Sequence, residues 1–271
     1  MDLIGVKKSP PGGLALPTAK GFMQESFMKS DRSRWLWQWM AFFYERFFSG
    51  FPPYRKLLKD IIESLPPADP ASHRVFLDAG CGVGLLSFEL ARRGHVVVGI
   101  DRSPQMVDRA KKKKQKERLD NLTFWEKDLN EEWNLPGFSC QTILLIHSLY
   151  LLENPSFAVK RLASFLVSGG EIITCNPSRK LRFAEIWKGG YSFLVTATRE
   201  RGALSIFSLL TVALVMGALN FMIQRKKNRI FHCWDENEIT DLMRKCDLGV
   251  KRTQRSCLAG SHILAWAVKE H

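Results

Sequence analysis

A glycine-rich turn between an apolar run and a helical stretch constrains the fold of this chain more than any other feature. Residues 75–77 form a short apolar run, the turn reads DAGCGVG over 78–84, and 85–93 has the pattern of a helix. In such a turn the backbone can approach a ligand closely, and the N–H groups at the start of the helix face it. The segment therefore predicts a strand, a ligand-binding turn and a helix in succession.

Apolar runs and helical stretches continue to alternate beyond this unit. A helix is predicted before it, over about 54–65. Further helices are predicted at 104–118 and 157–166, and from Asp235 with Glu238 as capping-box partner. Further strands are predicted at 96–100, 122–125, 142–146, 171–175, 249–255 and 261–268. This order predicts βαβ units and an α/β fold whose parallel sheet is covered by helices on both faces.

Acidic residues follow three of the predicted strands. Asp78 ends the first strand, where a carboxylate would repel a pyrophosphate and favours a ligand that carries a cation. Leu85 also stands where the dinucleotide fingerprint GxGxxG needs a third small residue. Asp101 ends the second strand, where an acidic group can hold both hydroxyls of a ribose. Asp128, after the third strand, can accept a hydrogen bond from an exocyclic amine.

Four segments, VFLDAGCGVGLLSFELARRG, VVVGIDRSPQMVDRAK, LTFWEKDLN and GGEIITCNP, resemble the successive motifs of class I S-adenosylmethionine-dependent methyltransferases. The resemblance is strongest to the group that methylates small molecules, lipids and quinones. It covers roughly 54–180 and 231–268. It implies S-adenosyl-L-methionine as the cofactor and a Rossmann-like, seven-stranded, mostly parallel sheet with an antiparallel last strand.

The resemblance also implies a set of cofactor-binding residues. The turn would surround the methionine part of the cofactor, the second strand would bind the ribose, and the residues after the third strand would meet the adenine edge. The set comprises Asp78, Gly80, Cys81, Gly82, Gly84, Asp101, Arg102, Met106, Asp128, Leu129 and His147. Three members have a simpler alternative: Cys81 as a small buried filler, Met106 as core packing and Asp128 as a turn residue.

Catalytic residues are predicted at the end of the fourth strand, where ligands bind in such sheets. His147 would take a proton from a hydroxyl acceptor, and Tyr150 would face the acceptor together with Ser148. A hydrogen-bonded structural histidine is the alternative. The chain departs from the family pattern at Gln141–Thr142, a position that is often acidic. Asn176-Pro177 follows the fifth strand, so it does not match the NPPY motif of amino-directed methylases.

Two apolar segments indicate the acceptor. Residues 35–48 form a predicted aromatic helix, and 203–223 contain no charged residue and precede QRKKNR. The second segment would span about 30 Å as a helix, but a single crossing would separate strands of one sheet. It is therefore predicted as a membrane-associated insert or a buried apolar lid. The predicted division is a lead-in and cap helix over 1–53, a methyltransferase domain over 54–182 and 230–271, and an insert over 183–229.

The net charge of +13 favours an anionic partner, either nucleic acid or an acidic membrane surface. The six cysteines include no CxxC pair, so no metal site is expected and a reducing cytoplasm is favoured. The resulting hypothesis is methyl transfer to a lipophilic small molecule or lipid by a monotopic enzyme on the cytoplasmic side of a membrane, without a nucleic-acid partner. The alternatives are a soluble small-molecule methyltransferase, an RNA methyltransferase and a non-catalytic membrane scaffold.

Overall fold

Seven strands pair into one sheet in the computed structural model, which describes residues 45, 52–65, 74–178, 233–256 and 262–270. The strands are β1 (Val75–Ala79), β2 (Val96–Asp101), β3 (Leu122–Glu126), β4 (Cys140–Ile146), β5 (Leu166–Pro177), β6 (Leu248–Ser256) and β7 (His262–Lys269). The helices are α1 (Pro52–Ser64), α2 (Leu85–Arg92), α3 (Pro104–Glu117), α4 (Pro155–Ser164) and α5 (Glu236–Arg244), with a 3₁₀ turn at Leu149–Leu151.

The strand order is β3-β2-β1-β4-β5-β7-β6. The first five strands are parallel, whereas β7 runs antiparallel to both β5 and β6. This confirms the predicted Rossmann-like fold class. From β1 the chain adds β2 and β3 on one side, and from β4 it adds β5 on the other. The carboxyl ends of β1 and β4 therefore flank the crevice in which such sheets bind ligands.

The fifth strand differs from its prediction. It begins at Leu166, five residues before the predicted start at 171, and includes Gly169 and Gly170. Cys140 pairs with Leu166 and Thr142 with Glu171, so β5 advances five residues where β4 advances two. The glycines lie in this irregularity, which single-strand patterning does not reveal.

Side chains pack on both faces of the sheet. On one face, called here the α4–α5 face, residues such as Ile143, Val159 and Met243 form one buried cluster. On the other, the α1–α3 face, a second cluster includes Ile61 and Phe88. The two clusters hold the strands in place, so the residues at the carboxyl edge of the sheet have a fixed support.

The predicted capping box starts the last helix. The N–H of Glu238 donates to Asp235 Oδ1 at 2.9 Å, and the N–H of Asp235 donates to Glu238 Oε2 at 2.9 Å. Just before it, Trp234 forms an isolated bridge with Ser178, and its N–H donates to the carbonyl of Pro177 at 3.2 Å. The chain therefore returns at residue 234 to the place that it leaves at residue 178.

Several sequence predictions lie outside the described residues. These are the lead-in and aromatic helix, except Glu45, which is helical, and the insert over 183–229. No described helix is both long and apolar enough to cross a bilayer, and the segment 203–223 is not among the described residues. The division into domain and insert remains a prediction.

Candidate cofactor and acceptor site

The glycine-rich turn lies against the end of β2. The N–H groups of Gly80 and Cys81 both donate to the carbonyl of Ile100, at 2.8 and 3.0 Å. Gly80, Gly82 and Gly84 all have positive φ angles, of 82°, 55° and 79°. This backbone conformation favours glycine, so the residue type follows from the shape of the turn.

Close packing also requires two of these glycines. A Cβ atom at Gly80 would lie 2.5 Å from Cβ of Ser148, and one at Gly84 would lie 2.7 Å from the ring of Phe124. The Oγ of Ser148 donates to the carbonyl of Ala79 at 2.9 Å. The backbone of β1 and the segment after β4 therefore approach each other closely beside the turn, and the Ser148 hydroxyl is engaged there.

Asp101 joins the turn to the start of α3. Its Oδ2 accepts from the N–H of Gly82 at 2.9 Å, and its Oδ1 accepts from the N–H of Ser103 at 2.8 Å. Burial raises the pKa of Asp101, and these two hydrogen bonds oppose the rise. Arg102 also lowers this pKa through its charge. Each carboxylate oxygen has two lone pairs, so both oxygens can accept a further hydrogen bond from a ligand.

Asp78 is a buried acid at the end of β1, with 4% of its surface exposed. The Oγ of Ser87, in the first turn of α2, donates to Asp78 Oδ2. Burial raises the pKa of Asp78 to about 6, and the charge of Asp101 adds to the rise, whereas the hydrogen bond from Ser87 lowers it. Near neutral pH the folded chain thus holds a destabilised carboxylate, which a ligand cation would stabilise.

Cys81 and Met106 pack next to these carboxylates. Burial raises the pKa of the Cys81 thiol well above its usual value, and the charges of Asp78 and Asp101 raise it further. Cys81 therefore stays a protonated thiol, which is a poor nucleophile. Met106 belongs to α3, and its buried side chain packs against Val83 of the turn.

The segment after β3 is held by residues that the sequence did not single out. Asp128 Oδ1 accepts from both the N–H and Nδ2 of Asn130, each at 2.9 Å. The Nε1 of Trp133 donates to the Asp128 carbonyl at 2.8 Å. The charge of Asp128 raises the pKa of Asp101, so the two carboxylates lie near each other. The Leu129 side chain is buried in the α4–α5 core, which leaves its backbone for any contact with a ligand.

Asn130 also connects this segment to the end of the 3₁₀ turn. Its Oδ1 accepts from the N–H of Glu153 at 2.9 Å. The sequence offered one signal for this role, an asparagine two residues after an aspartate, which is typical of a side-chain-stabilised turn. Trp133 carried no comparable local signal.

His147 lies at the end of β4 in a left-handed conformation with φ 56°. Its backbone N–H donates to the carbonyl of Cys175 at 2.8 Å, and its ring Nε2 lies 3.7 Å from the Cys175 Sγ. The ring centroids of His147 and His262 are 4.8 Å apart, and Tyr54 of α1 lies 5.9 Å from His147. Burial lowers the pKa of His147 to about 3, and His262 adds to this effect. The imidazole is therefore neutral at physiological pH.

His262 and Tyr150 complete the surroundings of His147. Burial lowers the pKa of His262 to about 4 and raises that of Tyr150 to about 12. A phenol with this pKa can donate a hydrogen bond but does not act as a base near neutral pH. The sequence missed His262, because it approaches His147 only through the pairing of β7 with β5, in which it faces Pro177.

The structure thus gathers the predicted residues at one edge of the sheet. The acidic residues lie at the ends of β1, β2 and β3, and His147 lies at the end of β4. A family described as a methyltransferase domain matches residues 70–212, just over half of the chain.

The chain belongs to the methyltransferase domain family. Its curated relatives include a ubiquinone biosynthesis O-methyltransferase from Coxiella burnetii, 31% identical over 137 residues, which are 49% of this chain and 51% of that protein. They also include a 23S rRNA (uracil-C5)-methyltransferase from Haemophilus parainfluenzae, 31% identical over 126 residues, 45% of this chain and 28% of that protein. The chain thus spans about half or less of the length of these relatives.

A solved structure shares the fold of this methyltransferase domain. The magnesium protoporphyrin IX methyltransferase from Synechocystis, with bound S-adenosylhomocysteine, aligns with a TM-score of 0.58 and 20% identity. The alignment covers 93% of this chain and 100% of that one. The predicted family and fold are confirmed, and so is S-adenosylmethionine as the cofactor. The roles of individual site residues remain predictions.

The buried carboxyl of Asp78 makes the stability of the methyltransferase depend on pH in a defined direction. Because its folded pKa of about 6 exceeds the usual value of 3.8, its contribution to stability is present at low pH and is lost as the pH rises through 6. We expect Asp78→Asn, which can still accept from Ser87, to gain about 2–3 kcal/mol relative to wild type between pH 4 and pH 8. Urea unfolding of both ligand-free proteins across this range measures the difference.

The same substitution should weaken cofactor binding. Loss of a charged partner is expected to reduce affinity for S-adenosylmethionine by at least about tenfold at pH 8. If Asp78→Asn is no more stable than wild type at pH 8, or its stability has the same pH dependence, the Asp78 carboxylate is not destabilised by burial.

Proposed function

We propose that the protein transfers a methyl group from S-adenosylmethionine to a hydroxyl oxygen of a lipophilic small molecule or lipid at a membrane surface. The observation that carries this proposal is the division of the carboxyl edge into two chemically different parts. The ends of β1, β2 and β3 carry the carboxylates of Asp78, Asp101 and Asp128, whereas the end of β4 holds a neutral His147 beside Tyr54. The first part suits a cofactor with positive charges and a ribose, and the second suits an uncharged acceptor.

The residues at the edge fit the cofactor in charge and in hydrogen-bonding capacity. Asp78 would stabilise the positively charged methionine end, Asp101 would accept from the ribose hydroxyls, and Asp128 would accept from the adenine amine through Oδ2. Asn130 hydrogen-bonds only Oδ1 of Asp128 among the described contacts, so Oδ2 can take that bond. When bound, S-adenosylmethionine supplies an electrophilic methyl group, so that an oxygen–carbon bond forms as the sulfur–carbon bond breaks and its electron pair stays on sulfur.

Asp101 offers a direct test of the cofactor site. Asp101→Ala removes the acceptor for the ribose and the anchor of Gly82, and we expect it to weaken S-adenosylmethionine binding by at least about 100-fold. Asp101→Asn keeps one acceptor oxygen and should lose less. Isothermal titration calorimetry measures both, with circular dichroism to verify the fold.

The matched control removes an acidic residue that faces solvent nearby. Asp108→Ala, at an exposed position on α3, should bind the cofactor as wild type does. Unchanged affinity in Asp101→Ala would disprove the assignment of the ribose site.

His147 is proposed to receive the proton that leaves the acceptor hydroxyl. Its low pKa makes it a weak base, but the hydroxyl proton becomes strongly acidic as the new oxygen–carbon bond forms. Proton transfer to a neutral imidazole is therefore favourable late in the reaction. Positioning of the two reactants would supply most of the acceleration, because methyl transfer is an in-line displacement.

This role predicts a characteristic pH profile. Since His147 is neutral above about pH 4, kcat should show no His147 titration between about pH 5 and pH 9. We expect His147→Asn to reduce kcat by about 10- to 100-fold without changing cofactor affinity. Tyr150→Phe, measured in parallel, should have a smaller effect. If kcat of wild type falls below about pH 6.5 and this fall is absent in His147→Asn, the pKa of His147 is not low. If kcat of His147→Asn is normal, His147 has a structural role only.

The membrane part of the proposal rests on apolar and basic segments. Residues 203–223 are uncharged and the chain carries a net charge of +13. Ser178 and Trp234 form a bridge with each other, so the residues that flank this part of the sequence lie together at the carboxyl edge. Lys111, Lys112 and Lys116 of α3 are exposed, in accord with attraction to anionic headgroups. The quinone-pathway relative supports a lipophilic acceptor.

Methylation of an RNA is the second candidate, because one relative is an rRNA methyltransferase and the chain is strongly basic. A labelled-methyl assay separates the two functions. We expect the purified protein to sediment with phosphatidylglycerol-containing vesicles and to label a compound in a lipid extract added to them. Label in ribosomal RNA without any labelled lipid would favour the second candidate. If the protein does not bind vesicles but labels a soluble compound, the proposed membrane association is wrong, whereas methyl transfer to a small molecule stands.

A further inference from the structure

Asn176 is a buried amide without a hydrogen-bond partner. Its side chain is 0% exposed, and neither Nδ2 nor Oδ1 finds a partner. An unsatisfied buried polar group is destabilising, so such groups are rare in folded proteins and require an explanation. The proposed cofactor site does not use Asn176.

The position of Asn176 connects it to the reaction site. It is the last residue but one of β5, directly after Cys175, which pairs with Ile146 of β4. Asn176 therefore lies level with His147, at the same carboxyl edge. Two strand spacings, about 10 Å, separate β5 from β1 and its glycine-rich turn. This distance is suited to a small acceptor placed between Asn176 and the cofactor.

The alternation of side chains places Asn176 on the α4–α5 face. Ile172 belongs to the core cluster of this face, and Thr174 and Asn176 follow it at intervals of two residues. His147 contacts Tyr54 and therefore lies toward the α1–α3 face. A ligand seated on the edge would meet His147 from one side and Asn176 from the other.

We propose that Asn176 recognises the methyl acceptor by pairing its amide with a hydroxyl and a neighbouring oxygen of a neutral, otherwise apolar molecule. The proposal rests on the proposed function and adds the acceptor's chemical class. The Nδ2 group donates to one oxygen, and Oδ1 accepts from the hydroxyl next to it. Both unsatisfied groups are then paired by one ligand.

The described groups that would face a ligand from the side opposite Asn176 favour a neutral acceptor over an acid. The described neighbours at this end of the edge include His147 and His262, whose low pKa values leave both rings uncharged. Tyr54 and the Cys175 thiol add apolar surface. A carboxylate placed against these groups would lose its hydration without gaining a positive partner from them, which is costly. Arg255, which stands level with Asn176 two strands away on the same face, is already paired with Glu236 at 3.0 Å. An aromatic ring with two adjacent oxygens, as in a catechol, is neutral and can form hydrogen bonds with both groups of the Asn176 amide.

The test uses an isosteric apolar replacement and a matched control. Asn176→Leu removes the unsatisfied amide, and we expect it to raise the Tm of the ligand-free protein by about 2–4 °C. Thr174→Val is the control, because its Oγ1 also lacks a partner and lies on the same face two residues earlier. Thr174→Val should also raise the Tm, but it should leave acceptor binding unchanged.

Binding is measured without turnover, in the presence of S-adenosylhomocysteine, with dodecylcatechol as the probe. Dodecylphenol, which lacks the second oxygen, is the comparison ligand. We expect wild type and Thr174→Val to prefer dodecylcatechol, and Asn176→Leu to lose about 100-fold in affinity for it and to bind both probes alike. Cofactor affinity should be the same in all three proteins.

The outcomes distinguish this proposal from the proposed function. A lower Tm in Asn176→Leu, or an unchanged preference for dodecylcatechol, would overturn the role of Asn176 and make it a structural residue. Failure of wild type to bind dodecylcatechol more tightly than dodecylphenol would also overturn it. If wild type shows the preference but methylates no lipophilic hydroxyl compound, Asn176 still recognises the ligand and the proposed reaction fails instead.

Discussion

The attachment of the glycine-rich turn to the end of β2 is the interaction on which the rest of the site depends. The carbonyl of Ile100 accepts from two N–H groups of the turn, and the carboxylate of Asp101 accepts from a third, that of Gly82. Behind the turn, a Cβ at Gly99 would lie 2.6 Å from the ring of Phe124, which also packs beneath Gly84. The turn therefore rests on a rigid support that the pairing of β1 with β2 fixes.

This arrangement places like charges together at a cost in stability. Asp78, Asp101 and Asp128 follow successive strands of one edge, and each of the first two raises the pKa of a neighbour. A sequence chosen only for stability would not bury a carboxylate such as Asp78 with hydrogen bonds from Ser87 but no positive partner. Binding of a positively charged ligand would offset this cost, which is why the electrostatics of the edge support the proposed cofactor site.

The positions of the residues proposed for the cofactor could be predicted from the sequence because they belong to local motifs. Asp78 and the three glycines lie within seven positions, and Asp101 and Asp128 each follow a strand whose apolar pattern is clear. The acceptor half could not be predicted in the same way. His262 is more than a hundred residues from His147 in the sequence and reaches it only through the antiparallel pairing of β7 with β5, and Tyr54 reaches it through the packing of α1. The burial of Leu129 in the core and the extension of β5 through two glycines also depend on tertiary packing, which no local pattern encodes.

The separation of the two halves explains how one fold can keep its cofactor while its acceptor differs. Contacts proposed for the cofactor come from β1, β2 and the segment after β3, on one side of β4. Those proposed for the acceptor come from α1, β5 and β7, on the other side. Only the end of β4 belongs to both, since Ser148 packs against Gly80 and the adjacent His147 contacts Cys175. If the two proposed halves are correct, substitutions at Asn176 or His262 are expected to affect the acceptor without disturbing the turn, whereas a change at Ser148 is expected to affect both halves.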